Sequence, residues 1–220
     1  MRNVLAALFS VLTLTGCATT GPYQITAERP RSSFPTEYGV IAGAFTTPDR
    51  WRLGRTAFVR NVETRKDYRI SQSFAFHAGD FDHPDRKGVV FAFAVPPGRY
   101  EFYNYLIYST NGAYETRWYS KEDFSVPFDV TPGAVVYLGD VQFVPNTGKN
   151  VLGMSVADGG FFRLMDEFDH DLPQLRAKYP DIDWLTAQKA GVLGRTLPPV
   201  LFTPSEKGVD RVVPPALLNQ

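Results

Sequence analysis

The sequence predicts an antiparallel β-sandwich with a small helical element near its C-terminus, on three observations. From Tyr38 to about Ala157, short apolar and aromatic runs alternate with turn residues, the pattern of consecutive half-buried strands. Aromatic residues make up 14% of the chain, enough to fill the space between two packed sheets. After Asp158-Gly159-Gly160 the apolar spacing changes from two to nearly four, as a strand-to-helix transition requires.

The expected strands are Tyr38–Thr46, Arg55–Glu63, Tyr68–Phe76, Val89–Val95, Arg99–Thr110, Ala113–Ser120, Phe124–Val130, Ala134–Val144 and Val151–Ala157, joined as a meander. Pro97-Gly98 and Pro132-Gly133 place a preset φ before a residue that tolerates positive φ, which predicts type II turns. Asn111-Gly112 lies between two aromatic-rich strands and predicts a hairpin. The run Val89-Val90-Phe91-Ala92-Phe93-Ala94-Val95 lacks polar alternation, so that strand is expected to be covered on both faces.

Phe161, Leu164, Met165 and Phe168 follow a helical stripe, and Leu175 and Tyr179 extend it into a second short helix with Pro173 in its first turn and Pro180 at its stop. Asp183 is placed to cap a last helix through Trp184 and Leu185 that ends at Gly191. The expected division is a signal at 1–16, a lipidated cysteine and tether at 17–35, the sandwich at 36–158, helices packing on it at 159–196 and an extended proline-rich tail at 197–220.

Charge bounds the partners. Lys and Arg number 23 and so do Asp and Glu, a balance that argues against a nucleic-acid footprint, which needs a basic surplus. The single cysteine, Cys17, excludes an intramolecular disulfide and a cysteine-based zinc cluster.

The position of that cysteine carries the localisation. Arg2 precedes the uncharged apolar run Val4 to Leu14, which is shorter than the roughly 20 residues a membrane span needs. Leu14-Thr15-Gly16-Cys17 follows it and resembles the lipobox of bacterial lipoproteins. The resemblance implies cleavage before Cys17, a diacylglycerol thioether on its sulfur and acylation of the new amine, with palmitate a representative chain. Two or more acyl chains hold a protein firmly at a bilayer, at about 0.8 kcal/mol per buried methylene. Ala18 stands where an Asp would imply inner-membrane retention, so the resemblance implies the outer membrane, facing the periplasm. Loss of Arg2 leaves the mature chain with one net negative charge. Residues 18–35 are rich in Thr, Ser, Gly and Pro and are expected to act as a tether, reaching roughly 60 Å if fully extended.

Val95-Pro96-Pro97-Gly98-Arg99-Tyr100-Glu101-Phe102 and Thr131-Pro132-Gly133-Ala134-Val135-Val136-Tyr137-Leu138-Gly139-Asp140 are similar to the strand-turn-strand pattern of transthyretin-like and carboxypeptidase-regulatory-like β-sandwiches. That resemblance implies a binding or structural module and brings no catalytic residue with it.

Three clusters are candidates for chemistry. His77, Asp80, Asp82 and His83 fall within a polar loop whose oxygens suit calcium and whose imidazoles suit zinc, although the spacing matches no dedicated loop; the competing reading is a solvated turn. Asp166-Glu167-Phe168-Asp169-His170-Asp171 offers a histidine beside carboxylates, yet acidic groups at a helix start also stabilise its dipole, and that role is preferred. Tyr103, Tyr105, Trp118 and Arg117 define a possible binding face on the fifth strand and its neighbour, unless the C-terminal helices roof it, as is preferred.

No nucleophile elbow, zincin helix, Walker loop or dinucleotide fingerprint occurs. The expected function is a non-catalytic binding or assembly component of the cell envelope. It would need no cofactor, be held at the membrane by lipid and be partnered by another envelope protein. The alternative is a carbohydrate-binding protein or hydrolase using the aromatic face and a loop carboxylate such as Asp80 or Asp82.

Overall fold

The computed structural model of the chain describes residues 23–47, 54–72, 79–83, 86–110, 115–119, 124–149, 152–191 and 209–213. They form two sheets. The first runs β10 (Ser155–Met165), β9 (Val135–Lys149), β1 (Gly39–Thr47), β5 (Arg86–Val95), β4 (Phe81–His83), with the short β11 (Gln188–Lys189) also paired to β9. The second runs β12 (Val209–Val213), β7 (Glu115–Tyr119), β6 (Gly98–Thr110), β2 (Gly54–Asn61), β3 (Asp67–Gln72), with β8 (Val126–Val130) beside the first half of β6. The two pack face to face through Ile41, Phe45, Phe91, Phe93, Leu138 and Phe143 on one side and Val59, Ile70, Tyr100, Phe102, Tyr105 and Ile107 on the other. This is a β-sandwich with one short helix, α1 (Phe168–Lys178).

β5 is covered on both faces, as its unbroken apolar run predicts. Phe91, Phe93 and Val95 enter the space between the sheets, while Val90, Ala92 and Ala94 face Leu175 of α1 and Tyr179 at its C-terminal cap. β1 does the same with Ile41 and Phe45 inside and Val40, Ala42 and Ala44 outside. The outward residues of these two strands are alanine and valine, which present a low, apolar surface to the helix. Each large apolar side chain so buried contributes roughly 1.5–3 kcal/mol.

The strands do not follow a meander. β1 pairs antiparallel with β5 and parallel with β9, so the chain crosses between sheets rather than stepping to its neighbour. Val40 is opposite Val135, and Ala134 follows a turn in which its N–H donates to the Thr131 carbonyl at 3.1 Å. Gly133 has φ 69° there, the positive value a type II turn requires. Gly98 differs: its φ of 155° is far from the type II value, and it is already the first residue of β6. The β6–β7 hairpin forms with Thr110 opposite Glu115, its turn at Asn111-Gly112 lying outside the described residues.

The C-terminal third departs from the expected helices. Phe161, Leu164 and Met165 belong to strand β10, where alternation buries Phe162 and Leu164 in the inter-sheet core. A spacing of three and four had matched a helix, but Phe162 and Leu164 at period two are the residues that fill the core. α1 begins at Phe168, so Pro173 lies inside the helix rather than in its first turn, and Asp169 and Asp171 occupy that turn. Asp183 caps only a single 3-10 turn, Trp184–Thr186, with its carboxylate accepting from the Leu185 N–H at 3.1 Å; the chain then becomes strand β11.

The N-terminal end of the body also differs from expectation. Much of the supposed tether is structured: the Ala94 N–H donates to the Tyr23 carbonyl and the Ile25 N–H to the Ala92 carbonyl, each at 2.9 Å. These bonds extend the edge of β5 beyond the end of β4, and Ile25 is buried with Val90 and Tyr179. Arg31 then folds its guanidinium onto the carbonyls of Pro35, Thr36 and Tyr38, at 3.1, 3.3 and 2.6 Å, fixing the bend that leads into β1. Within the proline-rich tail, Val209–Val213 is strand β12 paired to β7.

Candidate functional site

A β-bulge builds the most concentrated polar cluster in the described residues. Along β9, Val136 and Leu138 face the inter-sheet core and Val135 and Tyr137 face α1. The register against β1 then shifts at Ala42/Gly43, so that Gly139 rather than Leu138 is opposite Gly43. Gly139 has φ 109°, a value side-chain-bearing residues rarely adopt. A Cβ on Gly43 would meet the Gly139 carbonyl oxygen at 2.4 Å, so both positions require glycine. Past the bulge the phase is reversed: Val141 and Phe143 point inward, and Asp140 turns outward beneath α1.

There Asp140 meets three elements. The Thr46 hydroxyl of β1 donates to it at 2.6 Å, and Arg86 Nη2 of β5 donates at 3.1 Å. The same nitrogen bonds Asp171 of α1, whose other oxygen accepts from the Tyr137 hydroxyl at 2.6 Å. The Arg86 guanidinium is covered by the Phe81 ring at 4.2 Å. Both carboxylates are completely buried.

Two buried carboxylates therefore share one guanidinium. Burial pushes Asp140 up to about 6, against the opposing pull of Thr46 and Arg86 and with a further push from Asp171. Burial also raises Asp171, countered by Tyr137 and Arg86. The Tyr137 hydroxyl is held protonated by its own burial and by the Asp171 charge beside it. The cluster can thus hold a proton near neutral pH. Its carboxylate oxygens are sealed from solvent, so what it does in this conformation is clamp α1 to the sheet.

The sequence candidates are distributed differently. Asp80 spends one oxygen on the Val90 N–H at 2.7 Å and on Lys178 Nζ at 2.6 Å, a link between its loop and α1. Asp82 and His83 lie in β4 opposite Lys87 and Arg86, with their side chains outside the described set; His77 and Cys17 lie outside the described residues altogether. In the second cluster, His170 is exposed and contacts Glu167 at 2.7 Å, while Asp171 belongs to the buried clamp. Asp140 and Arg86 were not anticipated as partners. The visible signal is a lone acid after a glycine in a strand whose only other polar side chain between Val135 and Val144, tyrosine apart, is Gln142.

The aromatic face is corrected by a second bulge. β6 pairs with β2 through Asn104 opposite Phe58 and Phe102 opposite Val59, leaving Tyr103 as the extra residue. Strict alternation would have put Tyr103 and Tyr105 on one face. Instead Tyr105 joins Tyr100, Phe102 and Ile107 in the core, 4.5 Å from the Phe162 ring, and only Tyr103 faces outward. Asn104 marks the break: its side-chain oxygen accepts from the Tyr105 N–H at 2.7 Å, a local bond that competes with the ladder.

Tyr103 packs beneath the Arg60 guanidinium at 4.1 Å and donates to Asp67 at 3.0 Å. Arg60 also bonds Glu101 at 2.6 Å, as does the Ser125 hydroxyl. Arg117 is half-buried in β7 opposite Tyr108, and Trp118 sits opposite Ile107 with its side chain outside the described set. Nor do the C-terminal helices roof this sheet, because α1 packs on β5, β1 and β9 of the other one. No protein-family model matches the sequence, and neither a curated protein nor a solved structure matches it.

Proposed function

We propose that the protein is a lipoprotein of the outer membrane, held by Cys17 and facing the periplasm, whose β-sandwich acts as a non-catalytic binding or assembly component of the envelope. The observation that carries this reading is the ordered run of one cation, an uncharged apolar stretch, small residues and the chain's single cysteine. The buried clamp supports the non-catalytic part, since Asp140 and Asp171 are committed to Arg86, Thr46 and Tyr137 and have no surface exposed to a substrate. The carbohydrate reading loses Tyr105 to the core, which leaves Tyr103 alone of that pair at the surface.

Cys17→Ser is expected to abolish lipid labelling and to release the protein from the membrane fraction, read by radiolabelled palmitate incorporation and fractionation. Wild-type labelling of that variant would refute the anchor. For the body, the soluble form from residue 18 onward is expected to capture an envelope protein and to leave glycans unchanged. Saturable glycan turnover lost in Asp82→Ala would reverse the ranking.

A further inference from the structure

The N-terminal segment is docked at one end of the sandwich. Tyr23 and Ile25 bond to Ala94 and Ala92 in the antiparallel sense, so the chain reaches the body at the end where β5 finishes. The same end carries the β2–β3 turn, where the Val62 N–H donates to the Arg99 carbonyl at 2.8 Å. Tyr23 is seated against that turn: its ring lies 5.2 Å from Tyr68, and Lys66 Nζ sits 4.1 Å from its centroid and bonds its hydroxyl.

Only six peptide steps separate Tyr23 from Cys17, a span of at most roughly 20 Å. Part of that is used in crossing the headgroup layer, which is about 5 to 8 Å on each side of a bilayer. β9 by contrast starts at this end, with Val135 opposite Val40, and runs 15 residues to the opposite end, roughly 50 Å away at strand rise.

We infer that the end of the sandwich bearing Tyr23, the β2–β3 turn and the β5–β6 connection is a membrane-facing surface seated on the phospholipid headgroups, with the β9–β10 hairpin directed away from the bilayer. The inference rests on the lipid anchor at Cys17. The occupant is the headgroup layer because the covalent link is too short for a protein layer to intervene. The exposed groups of this end suit a polar surface: Arg65, Lys66 and Arg99 stand beside Glu63 and Asp67, cations for headgroup phosphates and carboxylates for headgroup amines.

The test uses the full-length lipidated protein in vesicles of phosphatidylethanolamine and phosphatidylglycerol. With Cys17 acylated, an introduced thiol is the chain's only free one, so Thr64→Cys in the β2–β3 turn and Leu152→Cys beyond β9 each take a single fluorophore. A spin-labelled headgroup lipid is expected to quench the Thr64 probe several-fold more than the Leu152 probe. Mass measurement of the lipid on Cys17 is made first. A chain without lipid would overturn the anchor and this orientation together. A lipidated, vesicle-bound protein with equal or reversed quenching would overturn the orientation alone and leave the anchor standing.

Discussion

Asp140 shows how far one side chain's chemistry depends on its neighbours. In isolation it is an acid in a strand; in the fold it lies under α1 with Arg86 and Asp171, two negative groups to one positive. Its folded value of about 6 stands above the ordinary 3.8, so the native state binds a proton more tightly than the unfolded chain. The associated stability is fully present below about pH 4 and is lost as pH rises through about 6. Asp171 is shifted in the same direction. Glu101 is shifted oppositely: despite partial desolvation, Ser125 and Arg60 hold it low, so its contribution is lost as pH falls. Asp140→Asn is therefore expected to remove a decline in stability between pH 4 and 6 that the parent protein carries. Urea melts of both proteins across that range test it, and parallel pH profiles would contradict the assignment. The sequence displays Asp140 as an acid after a glycine and Asp171 within an acidic cluster but not their pairing, since Asp80, Asp82 and His83 stand out by proximity along the chain while Asp140 and Asp171 are 31 residues apart.

Among the elements, those defined by local pattern were read well and those defined by docking were not. β5 announces its double burial through seven consecutive apolar residues. β10 offered two competing periods, and the sheet chose the one that places Phe162 against Phe45, Phe143 and Tyr105. The segment from Tyr23 to Tyr38 has the composition of a linker, yet Ile25, fully buried, and Phe34 and Tyr38, partly buried, attach it to the outer face of the first sheet. Because Ile25 is only 1% exposed, Ile25→Ala is expected to cost about 2–5 kcal/mol. Denaturant melts should show a lower midpoint with little change in slope, and limited proteolysis should gain cuts between Thr26 and Tyr38. An unchanged midpoint would mean that the segment rests on the body without stabilising it.

At the scale of the whole molecule, the first sheet is a three-layer assembly in miniature: the second sheet beneath it, α1 and the N-terminal segment above it. A soluble form beginning at residue 36 loses part of that upper layer, including Ile25, Phe34 and the Arg31 clasp. Its thermal midpoint is expected to lie on the order of 10 °C below that of a form beginning at residue 18, by the usual scaling for a domain of this size. Equal midpoints in calorimetry would return the segment to the status of a passive tether. The sequence by itself determined the sandwich class, the strand-rich body, the double-sided burial of β5 and the Pro132-Gly133 turn, because each depends on residues adjacent in the chain or repeating at short period. Tertiary structure alone decided the parallel pairing of β1 with β9, the side of the sandwich that α1 covers, and the two bulges that bury Tyr105 and turn Asp140 outward. Those outcomes depend on which strand meets which and in what register. A one-residue shift in register exchanges every side chain between core and surface while leaving the composition untouched.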